Sequence, residues 1–318
     1  MRIISQKVIV ICGPTAVGKT DISLELAEQF NGEIVNADSM QIYRHLDIGT
    51  AKPTSEERQK VPHHLFDMVE PREPFTVATY KSLAKNCLNH LFQNSRLPFI
   101  VGGTGLYLEA LLYDLPLGGR VKPHPEFRLE MEKYAENMGV KALHQKLQVI
   151  DLAAAEKIHP HNIKRVIRAL EVCHFSDQKF SEQRTMPKSS PYELFILGLT
   201  TERSILYDRI NHRVDMMMQA GLLEEAQWLY QQSLPQDSQC LQAIGYKEFF
   251  PYFSKQISKS EAVSTLKRNS RRYAKRQLTW LRNRLNGIHW YDLITEPRQQ
   301  EKIVDEINKF LQKEVKYG

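Results

Sequence analysis

Five apolar residues, Val8–Cys12, run without a spacer into Gly13-Pro-Thr-Ala-Val-Gly-Lys-Thr20. A short apolar run closed by glycine reads as a buried parallel strand, and residues 19–30 read as an amphipathic helix with Ile22, Leu24, Leu26, Ala27 and Phe30 apolar. The loop between them fits G-x-x-x-x-G-K-[ST] in the context that gives the pattern meaning, a strand before and a helix after. Its glycines let backbone N–H groups turn in on phosphate oxygens, and the helix N-terminus adds positive potential. The candidate phosphate-binding set is Gly13, Pro14, Thr15, Ala16, Val17, Gly18, Lys19 and Thr20. Lys19 would neutralise phosphate charge and the Thr20 hydroxyl would be offered to Mg²⁺. In many proteins this is a nucleotide-binding, ATP-binding pattern, but the loop specifies only a phosphate.

The next strand, 33–37, ends at Asp38; a helix over 76–94 and a strand over 97–103 follow. Such alternation implies a parallel sheet with right-handed crossovers, and ligand-handling residues at the carboxyl ends of its strands. The pattern changes near residue 116, where LPLGGRVKPHP is rich in Pro and Gly, and 126–180 carries helical periodicity without a clear strand. A strand returns over 192–200, and from 202 the chain reads as helical. The expected class is therefore α/β, a P-loop NTPase-like parallel-sheet core with a mainly helical insertion. The parts are a first core segment at 1–117, the insertion at 118–188, and a second core segment with basic helices at 189–318.

An ATPase of this type would close a later apolar strand with an acid that organises Mg²⁺ and water. Here that strand runs into GGTGLY, with Gly and Thr104 in the acid's place, while the earlier strand delivers NADSMQIYR and hence Asp38. One carboxylate near the loop suggests a base facing a diphosphate; a helix N-cap is the competing reading of Asp38. Thr104 reads equally as a ligand contact or a turn residue. Residues 266–284 hold eight Lys/Arg and no acid, with Leu266, Tyr273 and Trp280 seven apart as one packed stripe. That density favours phosphate-backbone binding over a merely solvated face, and Lys164, Arg165 and Arg168 form a second basic cluster. The overall excess is modest, 43 Lys+Arg against 37 Asp+Glu, so its distribution matters more than its sum. His63-His64 and His159-Pro-His161 lack metal-site spacing, and Met216–Met218 read as helix core. Four scattered cysteines without a CxxC pair, and an N-terminus too short for a signal or span before the loop, suggest a cytoplasmic protein.

Taken together, GPTAVGKT, NADSMQIYR, VPHHLFD, FTVATY, VGGTGLYLEALL, KRVIRALEV, AIGYKE and AKRQLTWLR resemble, in order, the motifs of the tRNA dimethylallyltransferases (tRNA isopentenyltransferases). The likeness spans roughly residues 8–285. It implies transfer of a dimethylallyl group from dimethylallyl diphosphate to N6 of the adenosine 3′-adjacent to the anticodon, with release of diphosphate. By matching position it implies a general base at Asp38, an activity-supporting Thr104, and a diphosphate contact at Arg213 beside Lys19. It implies tRNA contacts at Asp38, Ser39, Met40, Gln41, Arg128, Lys164, Arg165, Val166, Ile167 and Arg168. In the core it implies further contacts at Gln242, Ala243, Ile244, Gly245, Tyr246 and Lys247, and at Lys275, Arg276, Gln277, Leu278, Thr279, Trp280, Leu281 and Arg282. The partners expected are the tRNA anticodon stem-loop, dimethylallyl diphosphate and Mg²⁺, with no membrane and a monomeric protein. Val17 stands where the family often has Ser, which removes one hydroxyl and leaves the backbone donor. A small-molecule kinase acting on ATP, or an RNA-binding module without catalysis, are the alternatives; the first leaves the cations of 267–284 unexplained and the second leaves Asp38, Thr104 and Arg213 without a task.

Overall fold

The computed structural model describes residues 6–115, 121, 124–182, 189–235 and 238–313. Six strands, β1 Lys7–Cys12, β2 Gly32–Asn36, β3 His63–His64, β4 Leu97–Gly102, β5 Glu193–Leu199 and β6 Ile288–Tyr291, form one sheet in the order β3-β2-β4-β1-β5-β6. Every pairing is parallel. β1 is central because it is the most continuously apolar segment; Val8–Cys12 are fully buried. The chain runs outward from β1 to β2, returns to β4 and resumes on the other side at β5, so the order reverses beside β1. That reversal opens a crevice beyond the strand ends, where the glycine loop lies.

Two strands escape the sequence reading. β6 lies in the stretch read as helical, and β3 is only two residues long. β6 is an edge strand of four residues with His289 exposed, too short to display a period, and β3 follows a proline with no apolar run at all.

Helices Lys19–Gln29, Arg203–Gln219, Lys259–Arg284 and Gln299–Gln312 supply Leu26, Ile210, Ala274, Ile303 and Ile307 to a core shared with Ile9, Ile11, Phe99 and Leu197 of the sheet. Among the described residues no helix is long and apolar enough to cross a membrane.

The chain divides into two compact units, one running to Asp114 and resuming at Ser190, the other Leu115–Ser189. The second unit packs helices Pro125–Met138, Val140–Ile150, Leu152–Lys157 and Ile163–Phe175 around Met131, Leu143, Leu147, Val166, Ile167 and Leu170. Its centre also holds Glu171, fully buried and gripped by the Arg128 guanidinium through two bonds of 2.8 Å, by the His124 N–H at 2.7 Å, and by Arg168. Burial alone would raise this carboxyl; the two arginines and the amide override it and hold it down at about 2.

Candidate active site

The loop that leaves β1 wraps over the start of helix Lys19–Gln29. Gly18 sits at φ 96°, in the left-handed region that glycine tolerates, whereas Ala16 at φ 66° is held there against its preference. The Ala16 carbonyl accepts a 3.0 Å bond from Arg209 Nε, and that arginine, on helix Arg203–Gln219, is a loop support the sequence did not signal. Arg213 lies four residues further along the same helix and lines the cleft with Lys19.

Asp38 arrives from the end of β2. Buried Asn36 accepts the Asp38 N–H at 2.8 Å and donates to the carbonyls of Asp38 (3.1 Å) and Leu65 (3.0 Å), fixing the exit of the strand. Asp38 Oδ1 then accepts the Met40 N–H at 2.9 Å. No helix begins there, so the carboxylate closes an Asx turn and is not a helix N-cap. The Thr104 hydroxyl accepts the Ser39 N–H at 3.0 Å, and the Thr104 N–H reaches the Ala37 carbonyl at 3.2 Å. Thr104 thus braces the turn that presents Asp38.

These parts meet in a single cleft of about 320 Å³ lined by Thr15–Thr20, Asp38–Gln41, Arg213, residues 242–245, Lys247, Tyr273, Arg276 and Gln277. Burial and the neighbouring Arg213 charge drive the Lys19 ammonium down to about 8, with Asp38 opposing them. Burial likewise lowers Arg213, helped by Arg209. Desolvation raises Asp38 above the ordinary carboxylate range, against the Met40 amide and Lys19. Among the described residues neither Lys19 nor Arg213 has a salt-bridge partner; Lys19 Nζ rests on the Pro14 carbonyl at 2.7 Å. Two desolvated cations with no carboxylate in salt-bridge contact among the described residues, facing one carboxylate across the cleft, can accept a polyanion next to a base.

Not every residue named from the sequence faces that cleft. Tyr246 is fully buried and donates at 2.7 Å to Glu225, whose carboxylate also takes the N–H groups of Asp47, Ile48 and Gly49. It therefore pins the 242–247 segment and is no surface contact. Leu281 is buried and Leu278 packs against the core. In the other unit, the Val166 and Ile167 side chains are core, and Arg128 and Arg168 are engaged by Glu171; Lys164 and Arg165 are exposed.

The basic helix departs from its expected stripe. Its buried line is Ala262, Leu266, Ser270, Ala274, Gln277 and Leu281, with Tyr273 and Trp280 half-buried at its edge. Lys267 pairs with Asp215 at 2.6 Å, but among the described residues no carboxylate pairs with Arg268, Arg272, Lys275, Arg276 or Arg282. Small residues and a glutamine on the buried line let the helix pack closely there, a signal that the seven-residue Leu266–Tyr273–Trp280 spacing passed over.

Sheet, loop and cleft define a P-loop α/β protein whose cleft joins the glycine loop to the half-buried Asp38. The IPP transferase family model matches residues 41–284, and an isopentenyl transferase model matches 6–67. The tRNA dimethylallyltransferase of Halalkalibacterium halodurans is 48% identical over 308 residues, 96% of each chain. The full-length tRNA isopentenylpyrophosphate transferase from Bacillus halodurans superposes with a TM-score of 0.73 at 46% identity, covering 96% of this chain and 97% of that one. A eukaryotic dimethylallyltransferase, described as acting on tRNA, gives 0.81 at 28% identity over 98% of this chain and 81% of its own. This chain belongs to the IPP transferase family.

Proposed function

We propose that the protein transfers a dimethylallyl group from dimethylallyl diphosphate to N6 of the adenosine 3′-adjacent to the anticodon in tRNA, releasing diphosphate. The observation that carries this reading is the placement of Lys19 and Arg213, both without salt-bridge partners among the described residues, in the same cleft as a carboxylate whose pKa is raised. The family's named relatives support the choice of donor and acceptor.

The exocyclic amine of adenine is a weak nucleophile because its lone pair is delocalised into the ring. As N6 bonds to the allylic carbon, the carbon–oxygen bond breaks and its electron pair leaves with the diphosphate. The N6 proton passes to the Asp38 carboxylate. Burial makes that carboxylate more basic than one in water, and the Met40 amide fixes its orientation. Lys19, Arg213 and the loop amides receive the growing negative charge, in a site already oriented before reaction. Thr104 keeps the base in place by holding the Ser39 amide. Mg²⁺ suits the donor set, since this ion commonly takes one protein oxygen together with phosphate oxygens and water, and Thr20 lines the cleft. Held by Thr20 and the diphosphate, it would supply further charge neutralisation at the leaving oxygen. Exposed Lys164 and Arg165, with Lys275, Arg276 and Arg282, provide phosphate-binding charge for tRNA.

The deciding experiment incubates purified protein with Mg²⁺, dimethylallyl diphosphate and unmodified tRNA, without ATP. Nucleoside mass spectrometry should show an adenosine heavier by the five-carbon group. A dependence on ATP, or no gain of that group, overturns the reading.

A further inference from the structure

Gln277 lies on the helix that carries the unpaired cations, yet its side chain points the other way and is only 5% exposed. Its amide is used at both ends. Oε1 accepts the Thr15 N–H of the phosphate loop at 3.0 Å, and Nε2 donates to the Gly103 carbonyl at 3.0 Å. The partners fix the amide's orientation, because a loop N–H must meet oxygen and a carbonyl must meet N–H₂. The next residue after Gly103 is Thr104, which holds Ser39 and the Asp38 turn. One buried side chain therefore spans the strand-end loops that carry the two halves of the chemistry.

The surroundings leave this bridge little freedom. A Cβ at Gly103 would collide with Gln277 Nε2, and one at Gly105 would collide with Trp280, three residues further along the helix. Tyr273, one turn before Gln277, stands against Thr104 and Gln277. Arg276, the adjacent residue, lines the cleft, while Lys275 and Thr279 face solvent. Gly103 and Gly105 thus let the helix lie directly on the loop after β4, and one amide joins that loop to the phosphate loop.

Resting on the transferase reading above, we propose that Gln277 is a positioning residue that fastens the diphosphate loop to the Thr104 turn, so that RNA held by the basic helix aligns donor and base. It is not an RNA contact itself, since both its polar atoms are spent inside the protein. It also removes the Thr15 N–H from the phosphate donors, leaving that task to the rest of the loop.

The test uses the full chain carrying Gln277→Met, which keeps the length and removes both bonds. Turnover of dimethylallyl diphosphate and tRNA should fall about 10²-fold, the cost of misplacing reacting groups by an ångström, while tRNA affinity stays at the wild-type value. Calorimetry with inorganic diphosphate supplies a readout that a purely structural residue would not move. In the wild type, tRNA should tighten diphosphate about fivefold or more, and in the variant that coupling should vanish. Gly103→Ala, whose Cβ displaces the amide from the opposite side, should reproduce both effects and carries the test should Gln277→Met not fold. Unchanged turnover and coupling in a folded variant overturns the proposal, as does a loss of tRNA affinity equal to the loss of rate. A wild type that makes no adduct sinks the activity itself; a competent wild type beside unimpaired variants sinks only the role of Gln277.

Discussion

Burial shifts Asp38 and Lys19 toward one another, and the proposed chemistry uses each in its charged form. The carboxylate must be free to accept a proton, so activity rises as pH passes up through its pKa, which burial has raised above the usual value near 3.9. The ammonium must be protonated to hold diphosphate, so activity falls as pH passes up through about 8. The kcat/KM profile of the free enzyme should therefore be a bell whose basic limb lies near 8. In kcat that limb should move upward, because bound diphosphate favours the charged lysine. Arg213→Gln should also raise the basic limb in kcat/KM, since it removes the like charge beside Lys19. A limb that ignores both changes would belong to another group. Asp38→Asn keeps the shape and removes the base; turnover should drop by about 10²–10⁴ with tRNA affinity retained. If filter binding shows affinity falling in step with rate, the residue is a structural turn-former. The loop residues and the aspartate were legible because their chemistry depends on local spacing. Arg209 and Glu225 were not, since each acts on backbone groups far away in sequence, Glu225 on the Asp47–Gly49 amides and Arg209 on the Ala16 carbonyl.

The same contrast holds for whole elements. The central strands and the loop helix are evident from apolar runs and amphipathic spacing, whereas β6 shows only four residues of edge strand. In the Leu115–Ser189 unit, the basic cluster around 164–168 is visible in sequence, but its division of labour is decided by Glu171. A carboxylate held down at about 2 stabilises the unit fully above the ordinary glutamate value near 4.3 and loses that contribution as pH falls toward 2. Glu171→Ala leaves two arginines facing a buried void and should cost about 3 kcal/mol, the lower part of the range for a broken buried pair because Arg128 is 40% exposed. Denaturant unfolding followed by a probe in this unit would measure it, and a loss below about 1 kcal/mol would make the cluster an ordinary surface pairing. The helix Lys259–Arg284 makes the opposite use of its cations, leaving Arg268, Arg272, Lys275, Arg276 and Arg282 among those without a carboxylate partner in the described residues. Arg272→Ala and Lys275→Ala should each weaken tRNA binding and flatten its log–log salt dependence by about 0.7–0.9 per charge. A salt slope that stays at the wild-type value would assign those charges to solvent.

Across the molecule, each unit has a hydrophobic core of its own among the described residues. On the proposed reading diphosphate is held by Thr15–Thr20 and Arg213, all of which belong to the unit that runs to Asp114 and resumes at Ser190. The second unit also has its own ion cluster around Glu171. Binding to the native state stabilises only what it touches cooperatively, by about 2.7 kcal/mol at a ligand concentration one hundred times Kd. Hydrogen exchange should therefore separate the two ligands. Inorganic diphosphate should slow exchange in the loop helix and in Arg203–Gln219, and leave the helices Pro125–Met138 and Ile163–Phe175 unchanged. Transfer RNA should slow exchange in Lys259–Arg284 and, through exposed Lys164 and Arg165, in Ile163–Phe175. Protection of the second unit by diphosphate alone would show that the units unfold as one, and protection by tRNA confined to the first would remove Lys164 and Arg165 from the RNA surface.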